Sequence, residues 1–434
     1  MAIYLGNTKI SGAGISVDSA LSDTSTNPVQ NQAVTDALEE VGYNTWQKPA
    51  DWIDIRSGAI NNSIYLLIGH PADYSSINNL GFAVTLNDNT HNFNVYIDNV
   101  FYQTYQSGST VEISWSDLAL TTGKNTTFPI DLTTHIVRIT PENNSDTIYS
   151  YQQVRVNASS GEQQQGVLWA HFAVDYALNR VRFAVYNNCY NYYLVAVTAL
   201  GDNLYISGNL IDNLFGETYD RVSYKSHYLS YIPTIEVDTI GSWGGAFNNA
   251  GPLKKVRLKV NTKIQQSGTG NSQYAFVGDI RKLEINKPIL LSNRNSSVRL
   301  FANSSLERLP AFDATNMVVG SDFLTNNSNL KDTILDFSNA KNLEILTLYG
   351  TASNRMDGLK GVFVSDQAPF NRTTSPQINV SYTGMDRNAL VNMFKSMPAV
   401  SDNQVCNVTG CTGAADLTAE DLAIATNKGW TITR

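Results

Sequence analysis

The stretch that decides the fold starts with VRLKV at residues 256–260. It continues through KLEI (282–285), VRLFA (298–302), ILDF (334–337), ILTL (345–348), GVFV (361–364) and INVS (378–381). Each is a short run of β-branched and large apolar residues bounded by Asn, Asp, Gly or Ser, the composition of a strand ended by turns. Leu258, Leu283, Leu309 and Leu335 recur at a period in the mid-twenties. A unit of that length buries its apolar face only against the next unit, so the pattern predicts a stacked, leucine-rich-repeat-like module. Later runs come closer together, which makes the repeat irregular. Two helices are expected near its end. Residues 386–397 carry Leu390, Val391, Phe394 and Met397 on one face, and 417–428 open with Thr418 followed three residues on by Asp421, a capping pattern. Gly429 stops the second helix, and 430–433 read as a last strand.

Working outward, residues 43–151 hold strand-like runs at 63–68, 81–86, 93–97, 110–115 and 134–139, separated by polar turns. Short strands at this spacing predict a β-sandwich. A second β-rich stretch follows at 152–240, with runs at 166–174, 181–186 and 192–199, the last two expected to form a hairpin around 187–191. Tyr186, Tyr190, Tyr192 and Tyr193 cluster there. Aromatic faces flanked by Asn and Asp suit sugars, which present both C–H patches and hydroxyls, so these four are candidate ligand contacts. Packing inside a β core is the competing reading of the same residues. The glycine-rich GSWGGAFNNAG at 241–251 reads as a linker between domains.

Nearer the start, STNPVQNQAVTDALEEVG at 25–42 combines an N-cap (Asn27), Pro28 at the first helical position and a stop at Gly42. Val29, Ala33, Val34, Ala37, Leu38 and Val41 fall on one face. A helix this short is marginal alone, below about 12–15 residues. Its stripe, with Val29, Val34, Leu38 and Val41 as the buried positions, therefore predicts an oligomerising neck. Residues 1–24 read as an extended anchoring arm.

Composition narrows the function classes. Apolar residues make up 42% of 434, enough for sizeable cores, while charge is low at 16% and the net charge is −8 with no block of Lys or Arg. Nucleic acid is therefore a poor partner for this chain. No run approaches the about 20 apolar residues of a membrane span, and MAIYLGNTKISG at the start lacks the basic and apolar regions of a signal peptide. Cys189, Cys406 and Cys411 read as reduced thiols, with a Cys406–Cys411 pairing left open. His70, His91, His135, His171 and His227 show no metal spacing, and no nucleophile elbow, phosphate loop or dinucleotide fingerprint is present. Neither a cofactor nor a metal is expected. Two carboxylates brought together in space would suffice for glycoside hydrolysis, but 38 acids offer no way to choose a pair.

Three segments carry a resemblance. STNPVQNQAVTDAL at 25–38 and the start MAIYLGNTKI are similar to segments of virion fibre proteins, on head or tail, of phages that infect gut Bacteroidales, crAss-like phages included. LERLPAFDATNMVVGSDFLTNNSNL at 306–330 resembles repeats of BspA-like leucine-rich surface proteins, departing from them at 318–321. The tail GCTGAADLTAEDLAIATNKGWTITR from Gly410 is similar to the ends of such repeat proteins. The resemblance implies a homotrimeric, non-enzymatic virion fibre made in the host cytoplasm. It would attach through residues 1–24 to capsid or tail proteins and trimerise through a coiled coil at 25–42. Two β-rich domains at 43–151 and 152–240 would form its body, and a module at 241–434 would bind a host-surface glycan or protein. The expected class is thus mainly β, with an arm, a short coiled-coil helix, β-sandwich domains and an irregular leucine-rich-repeat-like end containing a few helices. A polysaccharide depolymerase tailspike and a bacterial leucine-rich adhesin are the alternatives.

Overall fold

The computed structural model describes residues 3–5, 8–10, 58–71, 79–119, 121, 123–127, 131–154, 163–164, 166–183, 189–190, 193–208, 214–215, 228–241, 245–247, 250–265, 276, 278–292, 299–401 and 404–434. It is mainly β, with 45% strand and 9% helix, in a β-solenoid-like arrangement. The chain divides into two compact units, Met1–Gln47 and Lys48–Arg434. In the first, β1 (Ile3–Leu5) and β2 (Thr8–Ile10) pair antiparallel, Ile3 opposite Ile10. The proposed neck residues Val29, Val34, Leu38 and Val41 lie outside the described residues.

The second unit begins with β3 (Ser63–Pro71), β4 (Leu80–Leu86), β5 (Asn92–Ile97), β6 (Val100–Gln106) and β7 (Thr110–Ile113). A short helix α1 (Trp115–Leu118) follows, then β8 (Lys124–Thr127), β9 (Asp131–Pro141) and β10 (Ile148–Gln153). Next come β11 (Gln163–Gln164), β12 (Val167–Ala173), β13 (Arg180–Arg182), β14 (Cys189–Tyr190) and β15 (Ala196–Ala199). One sheet runs β15-β12-β3-β9-β5-β6 with β8 beside β9, and another runs β13-β10-β4-β7. Alternation of buried and half-buried residues along β4, β5 and β10 gives each sheet one apolar face. The Tyr151 ring of β10 sits edge-on to Phe172 of β12, with centroids 5.8 Å apart. Among the described residues, the two runs expected to form a hairpin around 187–191 do not pair with each other. Instead β13 pairs in parallel with β10, and β15 in parallel with β12, so these two runs lie in different sheets. Both are parallel edge strands, which a local two-strand hairpin cannot produce.

From there the chain winds in coils. Their strands are β16 (Asn203–Ile206), β17 (Thr234–Ile240), β18 (Lys255–Gln265), β19 (Lys282–Ile285), β20 (Ile289–Ser292), β21 (Phe312–Met317) and β22 (Val319–Thr325). These continue into β23 (Thr333–Phe337), β24 (Ile345–Tyr349), β25 (Leu359–Val364) and β26 (Ile378–Asn379). Helix α2 (Arg387–Ser396), β27 (Val405–Asn407), α3 (Ala419–Thr426) and β28 (Thr431–Thr433) complete the order. The named pairings in this region are parallel, and side-chain hydrogen bonds between coils join residues 23, 25, 26 and 28 apart. The mid-twenties period is therefore real. The leucines, however, do not stack as one column. Leu258 lies opposite Ile285 rather than Leu283, and Leu309 is only half-buried.

Other expectations give way here as well. Residues 299–302 are turn rather than strand, and where the sequence departs from the BspA-like repeats, residues 319–321 begin β22. Residues 241–251 are not a linker, because Ala246 and Phe247 are fully buried inside the coils and β17 pairs with β18 across this segment. Both helices near the end are present. Thr418 and Asp421 form a complete capping box on α3, and Gly429 takes φ 90° just past its end. Helix α2 packs on β25, with the Val364 N–H donating to Ser396 Oγ at 3.2 Å. One face of the coils thus changes from strand (β23, β25) to helix (α2, α3).

What fills the coils is a line of phenylalanines. Phe183, Phe215, Phe247, Phe276 and Phe301 stack in order, with centroids 5.6, 6.2, 6.0 and 6.0 Å apart and planes within 29° of parallel. Phe323 closes on Phe301 edge-to-face at 5.4 Å. All six are essentially inaccessible. Each buried ring contributes about 1.5–3 kcal/mol by leaving water, and each ring pair about 0.5–1.5 kcal/mol more. Coil backbones also approach closely. A Cβ on Gly358 would lie 1.6 Å from the Leu330 carbonyl oxygen, and one on Gly384 would lie 1.8 Å from that of Asp357, so only glycine fits either place. At the corners Asn303 and Asn326 hold positive φ, and the Asn326 amide donates to Asn303 Oδ1 at 3.0 Å.

Candidate functional site

One cavity among the described residues is built on the turn Asp98–Asn99. Both residues take positive φ, 49° and 66°, and Ile97 pairs with Val100 across them. That is the signature of a two-residue hairpin turn, in which Asp and Asn tolerate the left-handed region. The turn is docked on β9: the Asp98 N–H donates to the Ile136 carbonyl at 2.8 Å, and the Ile136 N–H donates back to Asp98 Oδ1 at 2.8 Å. Asp98 Oδ2 lies 2.8 Å from His135 Nδ1, so its carboxylate is fixed from two sides.

Beneath it, His135 is buried and stacks on buried His70 with rings 5.4 Å apart. Their Nε2 atoms are 3.3 Å apart, and Trp115 covers His70. Thr121 Oγ1 lies 2.8 Å from His135 Nδ1 and donates to the Leu118 carbonyl. Burial pushes the Asp98 carboxyl upward, but the hydrogen bonds from His135 and the Ile136 N–H outweigh it and hold the group below the usual carboxylate range. A glycosidase acid needs the opposite shift, so Asp98 is suited to accept hydrogen bonds rather than to donate a proton.

The facing wall comes from α1. Ser114 caps it through the Asp117 N–H, and Asp117 Oδ2 accepts from the Tyr102 hydroxyl at 2.9 Å. Burial, then the hydrogen bond to Asp117, pushes the Tyr102 phenol far above its ordinary value, so it remains a protonated donor. Ile97, Asp98, Val100, Phe101, Tyr102, Asp117 and Thr121 line a cavity of about 490 Å³. Val100 and Phe101 are 62% and 55% exposed. Phe101 is braced edge-on by Tyr96 at 5.7 Å, and the Arg138 guanidinium lies 3.9 Å over the Tyr96 ring.

The residues expected from sequence lie elsewhere. Tyr193 is buried and stacks on Tyr228 at 6.3 Å, so its ring packs instead of facing outward. Tyr190 sits in β14, paired with β11, and Tyr186 and Tyr192 are outside the described residues. Cys406 and Cys411 are free and buried, and burial raises both thiols. Of the histidines, His70 and His135 meet each other, His171 meets Thr198, and His91 meets Asp146. Among the described residues, no group of three or more His, Cys, Asp or Glu is placed to hold a metal, and no helix is long and apolar enough to cross a membrane. The Asp98–Asn99 turn was readable in advance, as a turn pair between two apolar runs. Its convergence with Tyr102, Asp117 and Thr121 was not, since nothing local to those residues points back to it. Comparison with protein-family models, with curated proteins and with solved structures returns no match for this chain.

Proposed function

We propose that the chain is a structural, non-enzymatic phage virion fibre. The observation that carries the reading is the run of stacked parallel coils from β16 to β28, whose strands pair with strands of adjacent coils. Such coils offer a broad, repeated surface whose side chains can vary without loss of the fold, which is what an adhesive appendage needs. The resemblances at 25–38, 306–330 and from Gly410 support the same reading. On this proposal residues 1–24 attach to capsid or tail proteins, and 25–42 form a coiled-coil neck through Val29, Val34, Leu38 and Val41. The two antiparallel sheets form a β-sandwich body, and the coils face a host-surface glycan or protein. The protein is made in the host cytoplasm, resides in the virion and uses no cofactor.

Two measurements test this. Mass photometry of the purified full chain is expected to give three chains per particle, and single chains would refute the neck. Gold-labelled antibody against residues 1–24 on intact phage particles should mark the base of an appendage. An absence of label from every particle would refute the attachment.

A further inference from the structure

We propose that the cavity under the Asp98–Asn99 turn binds a neutral saccharide. It lies in the antiparallel sheets, apart from the coils assigned to host contact above, and its test needs no virion. The volume of about 490 Å³ falls within the usual range for small-molecule sites. Its lining divides by chemistry. Ile97, Val100 and Phe101 give one apolar side, and Asp98, Asp117, Tyr102 and Thr121 give a polar side. Among the described residues, none that lines the cavity is basic, so a phosphate, sulfate or uronate would meet two carboxylates and no compensating charge from them. A pyranose fits both sides, its C–H face against the Phe101 ring and its hydroxyl protons toward carboxylate oxygens.

The polar groups are held ready. Asp98 is held by the Ile136 N–H on Oδ1, by His135 on Oδ2 and by a hydrogen bond from Thr121, and a carboxylate with about four acceptor sites can still take a ligand hydroxyl. Tyr102 fixes Asp117 through Oδ2 and leaves Oδ1 to accept. Phe101 cannot swing freely, because Tyr96 meets its ring and Arg138 holds Tyr96. Groups locked before binding lose little freedom on binding. A cationic ligand is the other chemistry that two acids attract. Cation recognition of that kind relies on a desolvated aromatic cage, whereas here Phe101 stands 55% exposed.

The test is an array of neutral, sialylated and uronic-acid glycans probed with the full chain, followed by saturation-transfer NMR on the strongest neutral glycan. Choline and lysine amide serve as cationic competitors. At least one neutral glycan is expected to bind. Phe101→Ala should weaken it roughly tenfold, and Asp117→Asn roughly ten- to a hundredfold. Tyr149→Ala, which alters an exposed ring of β10 outside both the cavity lining and the coils, should leave it unchanged. Phe101 is exposed, so its replacement should keep the melting temperature and separate binding from folding. The proposal is overturned if only charged glycans or none bind, if Phe101→Ala binds like the parent, or if either cation displaces the glycan. It is also overturned if Phe101→Ala changes the number of chains per particle, since a second copy would then be what covers the cleft.

Discussion

In the antiparallel sheets a strand such as β3 is held by partners far apart in the chain, β9 on one side and β12 on the other, and Tyr151 touches Phe82, Phe172 and Phe183 at once. In the coils strands pair with strands of the adjacent coils, and each phenylalanine meets the next in line. The sheets are a network, whereas the coils are close to one-dimensional. In a network, damage at one point is shared among many contacts. In a line it divides what lies on either side.

The largest expected effect breaks that comparison directly. Phe247→Ala should cost about 3–5 kcal/mol and open the stack between Phe215 and Phe276. Calorimetry should then show a second, lower transition for the coils. Phe172→Ala, of the same size but inside the network, should lower one transition without splitting it. If both variants melt alike, the distinction fails. A smaller break is Asn327→Ala. The buried Asn327 amide donates to Ser304 Oγ and to the Leu306 carbonyl, and its Oδ1 accepts from the Asn329 N–H. Removing it strands buried polar groups and should cost about 1–3 kcal/mol by urea denaturation, confined to coils next to β22 in hydrogen exchange.

Thr418→Ala removes the α3 cap and should cost about 1 kcal/mol. The partner residue adds a pH signature. Asp421 is held to about 2 by its hydrogen bonds from Arg387 and from the Thr418 N–H, against an ordinary value of 3.8. Because the folded value is the lower one, this contribution is complete above about pH 4 and fades as pH falls toward 2. Acid titration of hydrogen exchange in α3 should show that loss, and Asp421→Asn should abolish it. The smallest effect comes from the outer face of the coils, where Glu307 joins Arg281 and Lys331. Lys331→Ala should change stability by no more than about 1 kcal/mol, and less at high salt.

Much of this was legible where the signal is local. Strand-like runs separated by polar turns marked β4 and β5, the Thr418–Asp421 spacing marked the start of α3, and the period in the twenties marked the coils. The phenylalanine line escaped notice for two reasons. Its members from Phe183 to Phe301 sit on turns rather than strands, and their intervals shorten along the chain as the loops do. The leucines advertised a period but supplied no column, since burying a leucine in a strand does not fix which residue of the next coil it meets. Of the tyrosine cluster, Tyr193 is the member whose side chain is described, and it packs; aromatic density looks the same for packing as for display. Tyr193 stacks on Tyr228, a neighbour distant in sequence that no local pattern announces. The cleft was hidden because Asp98, Asp117 and Thr121 acquire their shared surroundings only when the β5–β6 turn docks on β9.

Phe183 belongs to both regions. Its ring lies 5.6 Å from Tyr151 and 6.0 Å from Phe172 in the sheets, and 5.6 Å from Phe215, the next ring in the coils. The junction between network and line is therefore a filled joint and not a hinge. Tilting one region against the other would shear stacked rings inside a close-packed interior that compresses little. A tug on the coils would pass through Phe183 into Tyr151 and Phe172, so at this junction the chain should behave under load as a stiff lever rather than a tether.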